Sequence, residues 1–312
     1  MKILVTGATG FIGSNLALYL DSEGHEIIAV SRDDEQKLDN FKGKLITRPF
    51  YELDFNKIGK IDAVFHQAAI VGMLTRDGKV INNKKEIEFV NVEAPLLLFE
   101  NAIKKECKRI VYASSTAVYG GTKEKFIEWK NENPNSIYGE TKLALDKNAM
   151  ELAEKHKDKG VKIIGLRYSN VYGPRENHKG KSANVIYQFA QQMLKGNPKL
   201  FKYGEQKRDE IYIKDVIRAN LLALNSKQSC VVNCGKGKAV SFNEIIRTLN
   251  LVMGLNRKTE YIDNPYMFFQ DFTECDMTKC KEMLGFEAAY NLKEGIKDYY
   301  KSGWLTKPSN NV

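Results

Sequence analysis

Short, almost uninterrupted apolar runs alternate with longer stretches of helical period through the first half of the chain. Lys2–Thr6, Glu26–Val30, Ala63–His66, Ile110–Ala113 and Lys162–Arg167 are apolar on both strand faces. Strands of that kind belong to a parallel sheet covered on both sides rather than to a half-wet antiparallel one. Between them, Gly13–Ser22, Val92–Lys105 and Tyr138–His156 space their apolar residues three and four apart and read as helices. Strand and helix in alternation predict an α/β fold, a doubly wound parallel (Rossmann) sheet with right-handed crossovers. Its ligand crevice should lie at the carboxyl ends of the strands.

After Gly173-Pro174 the rhythm loosens into a mixed α/β region with longer loops, which predicts a smaller, substrate-covering domain. Ile211–Asn225 and Cys230–Asn233 look like elements of the sheet domain returning late, so the two parts are expected to interleave. The expected division is 1–172 plus about 210–235 for the dinucleotide-binding part, and 173–209 plus 236–312 for the smaller one. No internal repeat or low-complexity tract is visible, and only Lys307–Val312 reads as a frayed tail.

Composition changes this picture little. An apolar share of 43% is ample for a core, and 28% charged residues argue against disorder. A net charge of +9 invites a nucleic-acid partner, but the lysines and arginines are interleaved with acids and form no basic block. A solvated surface with some excess around a diphosphate pocket accounts for the charge, and no nucleic acid is expected. Cys107, Cys230, Cys234, Cys275 and Cys280 include no C-x-x-C pair and no zinc-like spacing with histidine, so no metal is expected. Reduced, buried thiols in a cytoplasmic protein fit them. Met1–Val5 is too short for a signal segment, and no run reaches the roughly 18 apolar residues of a membrane span, which predicts a soluble protein.

The chemistry begins at Thr6-Gly-Ala-Thr-Gly-Phe-Ile-Gly13. Gly7, Gly10 and Gly13 follow a strand and open a helix whose first turn, with Phe11 and Ile12, offers N–H donors to a pyrophosphate. An acid is expected on the adenosine ribose at the end of the second strand, yet the chain has Ser31-Arg32 there. A guanidinium beside a small hydroxyl accommodates a 2′-phosphate, which tilts the NAD(P) choice towards NADP. Asp33 within reach of the ribose keeps NAD open. His66-Gln-Ala-Ala69 closes another strand, where Ala68 and Ala69 let a cofactor lie against the backbone, and a strand-end His66 is expected to be packed rather than catalytic. Asn91 reads either as a helix cap or as an organiser of the cofactor. Tyr138-Gly-Glu-Thr-Lys142 puts a phenol and an ammonium on one helix face. A tyrosinate beside a fixed cation can take a proton from a substrate hydroxyl next to a nicotinamide.

These pieces, with Tyr112-Ala-Ser-Ser-Thr-Ala-Val-Tyr-Gly120, Arg167-Tyr-Ser-Asn-Val-Tyr-Gly-Pro-Arg175 and Lys207-Arg-Asp-Glu-Ile-Tyr-Ile-Lys-Asp215, span most of the sequence. The chain resembles the extended short-chain dehydrogenase/reductase superfamily of nucleotide-sugar epimerases and dehydratases. Tyr119-Gly-Gly121, Tyr172–Gly180, Pro198–Phe201 and Gln270–Thr273 point to its heptose epimerases. The resemblance implies that Ser115 bonds the reacting oxygen and Tyr138 is the acid/base. It makes Lys142 the holder of the nicotinamide ribose and Lys179 a second acid/base. Asn170 and Arg208 would hold the diphosphate, and Leu200 and Phe201 would line the nucleobase. A nucleoside-diphosphate heptose substrate and a homodimer follow from the same resemblance.

Two positions depart from that pattern. Ser169 replaces a usual aromatic, and Phe269 replaces a frequent sugar-binding tyrosine, so the heptose, the reacting carbon and the base (ADP or GDP) stay open. An epimerase that oxidises transiently and returns the hydride competes with a net dehydrogenase releasing a keto-sugar. A non-catalytic cofactor sensor is the third reading, and it is disfavoured by the joint presence of Ser115, Tyr138 and Lys142.

Overall fold

The computed structural model describes residues 1–32, 38–71, 83–263 and 271–309. In chain order these form β1 (Lys2–Thr6), α1 (Phe11–Ser22), β2 (Glu26–Ser31), β3 (Lys44–Thr47), α2 (Phe55–Ile58), β4 (Ala63–His66), α3 (Lys84–Glu88), α4 (Ala94–Lys104) and β5 (Arg109–Ser115). Then come α5 (Ile137–Lys155), β6 (Lys162–Tyr168), β7 (Asn170–Tyr172), α6 (Val185–Lys195), β8 (Lys199–Phe201), β9 (Lys207–Tyr212) and α7 (Ile213–Leu224). The chain closes with β10 (Cys230–Cys234), β11 (Ala239–Ser241), α8 (Phe242–Met253), β12 (Glu260–Ile262), α9 (Thr278–Leu284) and α10 (Leu292–Lys301).

Seven of these strands make one sheet in the order β10-β6-β5-β4-β1-β2-β3, all parallel. The apolar runs explain it: Ile3, Leu4, Val5, Ala63, Val64 and Phe65 are all fully buried, because helices cover both faces. The chain reverses direction at β1, with β2 on one side and β4 on the other, so the crevice of this sheet opens just beyond Thr6. Strand β3 was not visible in the pattern of the sequence. Its residues are only half-buried or exposed, as suits a sheet edge, and their alternation is too weak to read. β10 returns to the sheet after the small elements, in agreement with the late strand expected at Cys230–Asn233.

A second sheet, β11-β9-β7, and a two-stranded ribbon, β12-β8, lie in the looser half. The helix expected at Val92–Lys105 begins earlier and is interrupted. Asn83 caps α3 with its side chain, and a π-turn over Phe89–Glu93 joins it to α4. The cause is Pro95, which has no N–H for the carbonyl four residues back, at Asn91. Asn91 is therefore inside the helical stretch and does not cap it. Ser136 caps α5 through the Gly139 N–H, a bond worth about 1 kcal/mol. All five cysteines are buried and unbridged. No helix among the described residues is long and apolar enough to cross a membrane.

Lys307 was expected to fray, yet its carbonyl accepts from the Tyr187 hydroxyl at 2.7 Å and its ammonium lies 3.7 Å from the Trp304 ring centroid. Lys307 is thus pinned to α6, and Pro308 to the turn before it, its carbonyl accepting from Asn177.

Candidate active site

The phosphate turn is dictated by backbone packing. Gly7 has φ +64°, and a Cβ there would lie 2.7 Å from the Ala68 nitrogen. A Cβ on Gly13 would lie 2.1 Å from the Gly7 carbonyl, so helix and turn touch directly. Gly10 differs: a Cβ would meet only the Gly7 carbonyl, at 3.1 Å, and its other side is open. It caps α1 without a side-chain bond, which leaves the first-turn N–H groups for an anion. An open, uncapped helix start over a bare glycine fits a dinucleotide pyrophosphate.

The cleft beyond it is lined by Gly7, Thr9, Gly10, Val30, Ser31, Arg32, Ala68 and Ala69, with Phe50, Tyr51, Ile70 and Val90 as apolar walls. Ser31 and Thr9 share a short hydroxyl bond that ties β2 to the turn. Arg32 lies on the rim as expected, and Arg48, which the sequence did not single out, joins it there because Ser31 and Thr47 are register partners. Asp33 and Phe269 fall outside the described residues. Asn91 acts through the loop behind this wall. Its amide accepts from Ile70 N–H at 2.8 Å and donates to the Ile70 carbonyl at 2.8 Å and to Thr141.

His66 is fully buried between the rings of Phe50 and Phe99, with Thr6 on Nδ1 at 2.8 Å. Burial, helped by Lys142, pushes it down to about 3, so it is a neutral packing group.

Tyr138 and Lys142 leave α5 one turn apart, with the ammonium 5.6 Å from the tyrosine ring centroid. Lys142 is buried and donates to the Ala113 carbonyl on β5 at 2.7 Å. Ser115 ends the same strand and its hydroxyl bonds Tyr138. Burial pushes the Tyr138 phenol up to about 12, and Ser115 opposes that rise. The expected lowering by Lys142 does not operate in this arrangement, because the ammonium is committed to a carbonyl and burial has itself pushed it down to about 8.

Lys179 belongs to the 3-10 turn Asn177–Ser182 and lies 5.4 Å from the centroid of Phe11, the first residue of α1. It therefore sits beside the first turn of the helix that follows the glycine turn. Burial lowers its pKa, and the Glu176 carboxyl opposes the fall. Fully buried Glu176 closes this loop by accepting from Gly173 N–H at 3.0 Å and Asn184 N–H at 2.7 Å. Asn184 in turn donates to Glu210 on β9 at 2.6 Å. Desolvation pushes Glu176 up to about 7 and Glu210 up to about 8.

Arg208 shares β9 and its face with Glu210, two residues away, and Asn170 pairs with Glu210 across β7 and β9. Asn170 donates to the Asp209 carbonyl and to Thr273. Leu200 is buried and Phe201 half-buried on β8, whose Phe201 carbonyl accepts from Gln206 beside β9. Ser169 bonds the Asp209 carbonyl at 2.7 Å, using its hydroxyl where an aromatic would project.

The glycine turn and the Ser-Tyr-Lys group, both at the carboxyl ends of one parallel sheet, define a dinucleotide-type oxidoreductase fold that carries a second, smaller sheet. The NAD-dependent epimerase/dehydratase family model matches residues 3–235, and the chain is an enzyme belonging to that family. Among solved structures it is similar to ADP-L-glycero-D-manno-heptose-6-epimerase of Helicobacter pylori, at 35% identity and TM-score 0.85 over 96% of this chain and 95% of that one. UDP-glucose 4-epimerase of Thermotoga maritima, solved with UDP-glucose, shares 30% identity at TM-score 0.83, covering 97% and 99%. UDP-glucuronic acid 4-epimerase of Bacillus cereus, in complex with NAD, shares 28% at TM-score 0.78, covering 97% and 100%.

Proposed function

We propose that the protein is an NAD(P)-dependent epimerase of a nucleoside-diphosphate heptose, acting in the cytoplasm. The observation on which this reading rests is Lys179: a second protonatable group, half-buried and desolvated, beside Phe11 at the start of α1. The similarity to a heptose epimerase supports the sugar class, while similarity to epimerases of UDP-hexoses keeps the base and sugar as the proposal's finer part. Arg32 and Arg48 on the rim favour NADP.

Bound in the cleft, the nicotinamide would take a hydride from a sugar carbon and give it back. In its ionised form Tyr138 would receive the hydroxyl proton on its phenol oxygen, with Ser115 holding the same sugar oxygen in place. Lys142 fixes the ribose side of the cofactor. Asn170 and Arg208 face the diphosphate, and Lys179 serves the face of the sugar that Tyr138 does not reach.

Purified protein incubated with ADP- and GDP-heptoses and read by product NMR tests this. An inverted heptose from wild type is expected, and Lys179→Met should block inversion while partial oxidation persists as reduced cofactor. Inversion at the wild-type rate in that variant removes the second-base role. A keto-sugar as the only product assigns a net dehydrogenase instead.

A further inference from the structure

Helix α5 presents a third polar group on the buried face that carries Tyr138 and Lys142. Asp146 lies one more turn along, completely buried. One of its oxygens accepts from the Tyr112 hydroxyl at 3.0 Å and the other from Arg167 Nε at 2.8 Å. Arg167 is itself fully buried within β6. Its Nη1 donates to the Tyr119 hydroxyl at 2.8 Å and to Glu132 at 2.7 Å, and its plane lies between the rings of Tyr119 and Trp129. Burial pushes the Asp146 carboxyl up, and Arg167, whose guanidinium does not deprotonate in a protein, opposes that rise. Such a pair is costly to bury, and neither member touches the cleft.

The groups that face Lys142 explain what the pair is for. On its own helix these are Tyr138 and Asp146, on β4 His66, and on β5 the Ala113 carbonyl. His66 is neutral, and Tyr138 keeps its proton through the neutral range. Of these side chains, Asp146 supplies the charge that opposes the desolvation of the ammonium. We infer that Asp146, held by Arg167, is a positioning residue that keeps Lys142 protonated and fixes the rotation of α5 against β5 and β6. The inference rests on the proposed role of Lys142 at the cofactor ribose.

Calorimetric titration of the whole protein with NAD and NADP at a series of pH values tests it without needing the sugar. Wild-type affinity should fall as pH rises through about 8, where Lys142 loses its proton. In Asp146→Asn the fall should come about one pH unit lower, the shift expected from one charge a helical turn away at an effective dielectric of roughly 20–40. Asp146→Glu, which keeps the charge, should restore the wild-type midpoint even if affinity drops. A purely structural role would change affinity at all pH values and leave the midpoint still.

Asp146→Asn strands a buried arginine, so Asp146→Asn/Arg167→Met, with both charges removed, is measured alongside it. An unmoved midpoint in Asp146→Asn overturns the proposal, as does wild-type cofactor affinity in the double variant, where the charges removed are of opposite sign. If neither folds, the pair serves folding and the proposal is likewise overturned. Lys142→Met separates the two layers. Wild-type affinity and pH dependence in that variant defeat the role given to Lys142, whereas a lost pH dependence there with an unmoved midpoint in Asp146→Asn defeats only the role of Asp146.

Discussion

Tyr138 and Lys142 were legible at the level of single residues because their spacing is local, one helical turn within one helix. What the spacing could not reveal is the balance of burial and charge around them. Burial pushes the phenol up to about 12 against the opposing Ser115, so the tyrosinate that could accept a substrate proton is a minor form near neutrality. Tyr138→Phe removes that oxygen and nothing else. Turnover should fall by about 10²–10⁴-fold with cofactor affinity unchanged, and activity within threefold of wild type would sink the assignment. Asp146 and Arg167 stayed hidden for a different reason. Each looks ordinary in its own segment, and only the packing of α5 on β6 brings them within 2.8 Å. An arginine inside a strand otherwise fit for burial was the available signal.

At the level of elements, the buried strands and the glycine turn were readable because their constraints are written in consecutive residues. β3 and the π-turn were not, since an edge strand lacks a clear period and the turn depends on one proline acting four residues back. The consequence for the cofactor lies at the ends of β2 and β3. Their register sets Arg32 and Arg48 side by side on the rim of the cleft, although no sequence motif joins them. Arg32→Ala should therefore raise the KM for NADP more than that for NAD, by an amount equivalent to ~1.5–3 kcal/mol for a charged hydrogen bond. Equal effects on steady-state kinetics with the two cofactors would mean that Arg32 stacks on the adenine or points to solvent.

At the level of the whole molecule, the faces of α4 and α5 divide more sharply than the sequence suggested. Phe99, Leu145, Ala149 and Leu152 are buried inside the subunit, whereas Leu97 is 53% exposed. A homodimer that pairs the outer sides of these two helices would cover Leu97. Light scattering at micromolar concentration should give twice the chain mass for wild type and a monomer for Leu97→Asp, and a monomeric wild type refutes the pairing.

The return of β10 to the far edge of β6 has a consequence for how the protein is made. Cys230 pairs with Ile164 only after the chain has laid down β7, β8 and β9 elsewhere. While these are being synthesised, β6 presents an open parallel edge to the cell, the kind of template on which other chains add. The seven-stranded sheet cannot close until β7, β8 and β9 have left the ribosome. The large parallel sheet and the small sheet are thus already obliged to mature together.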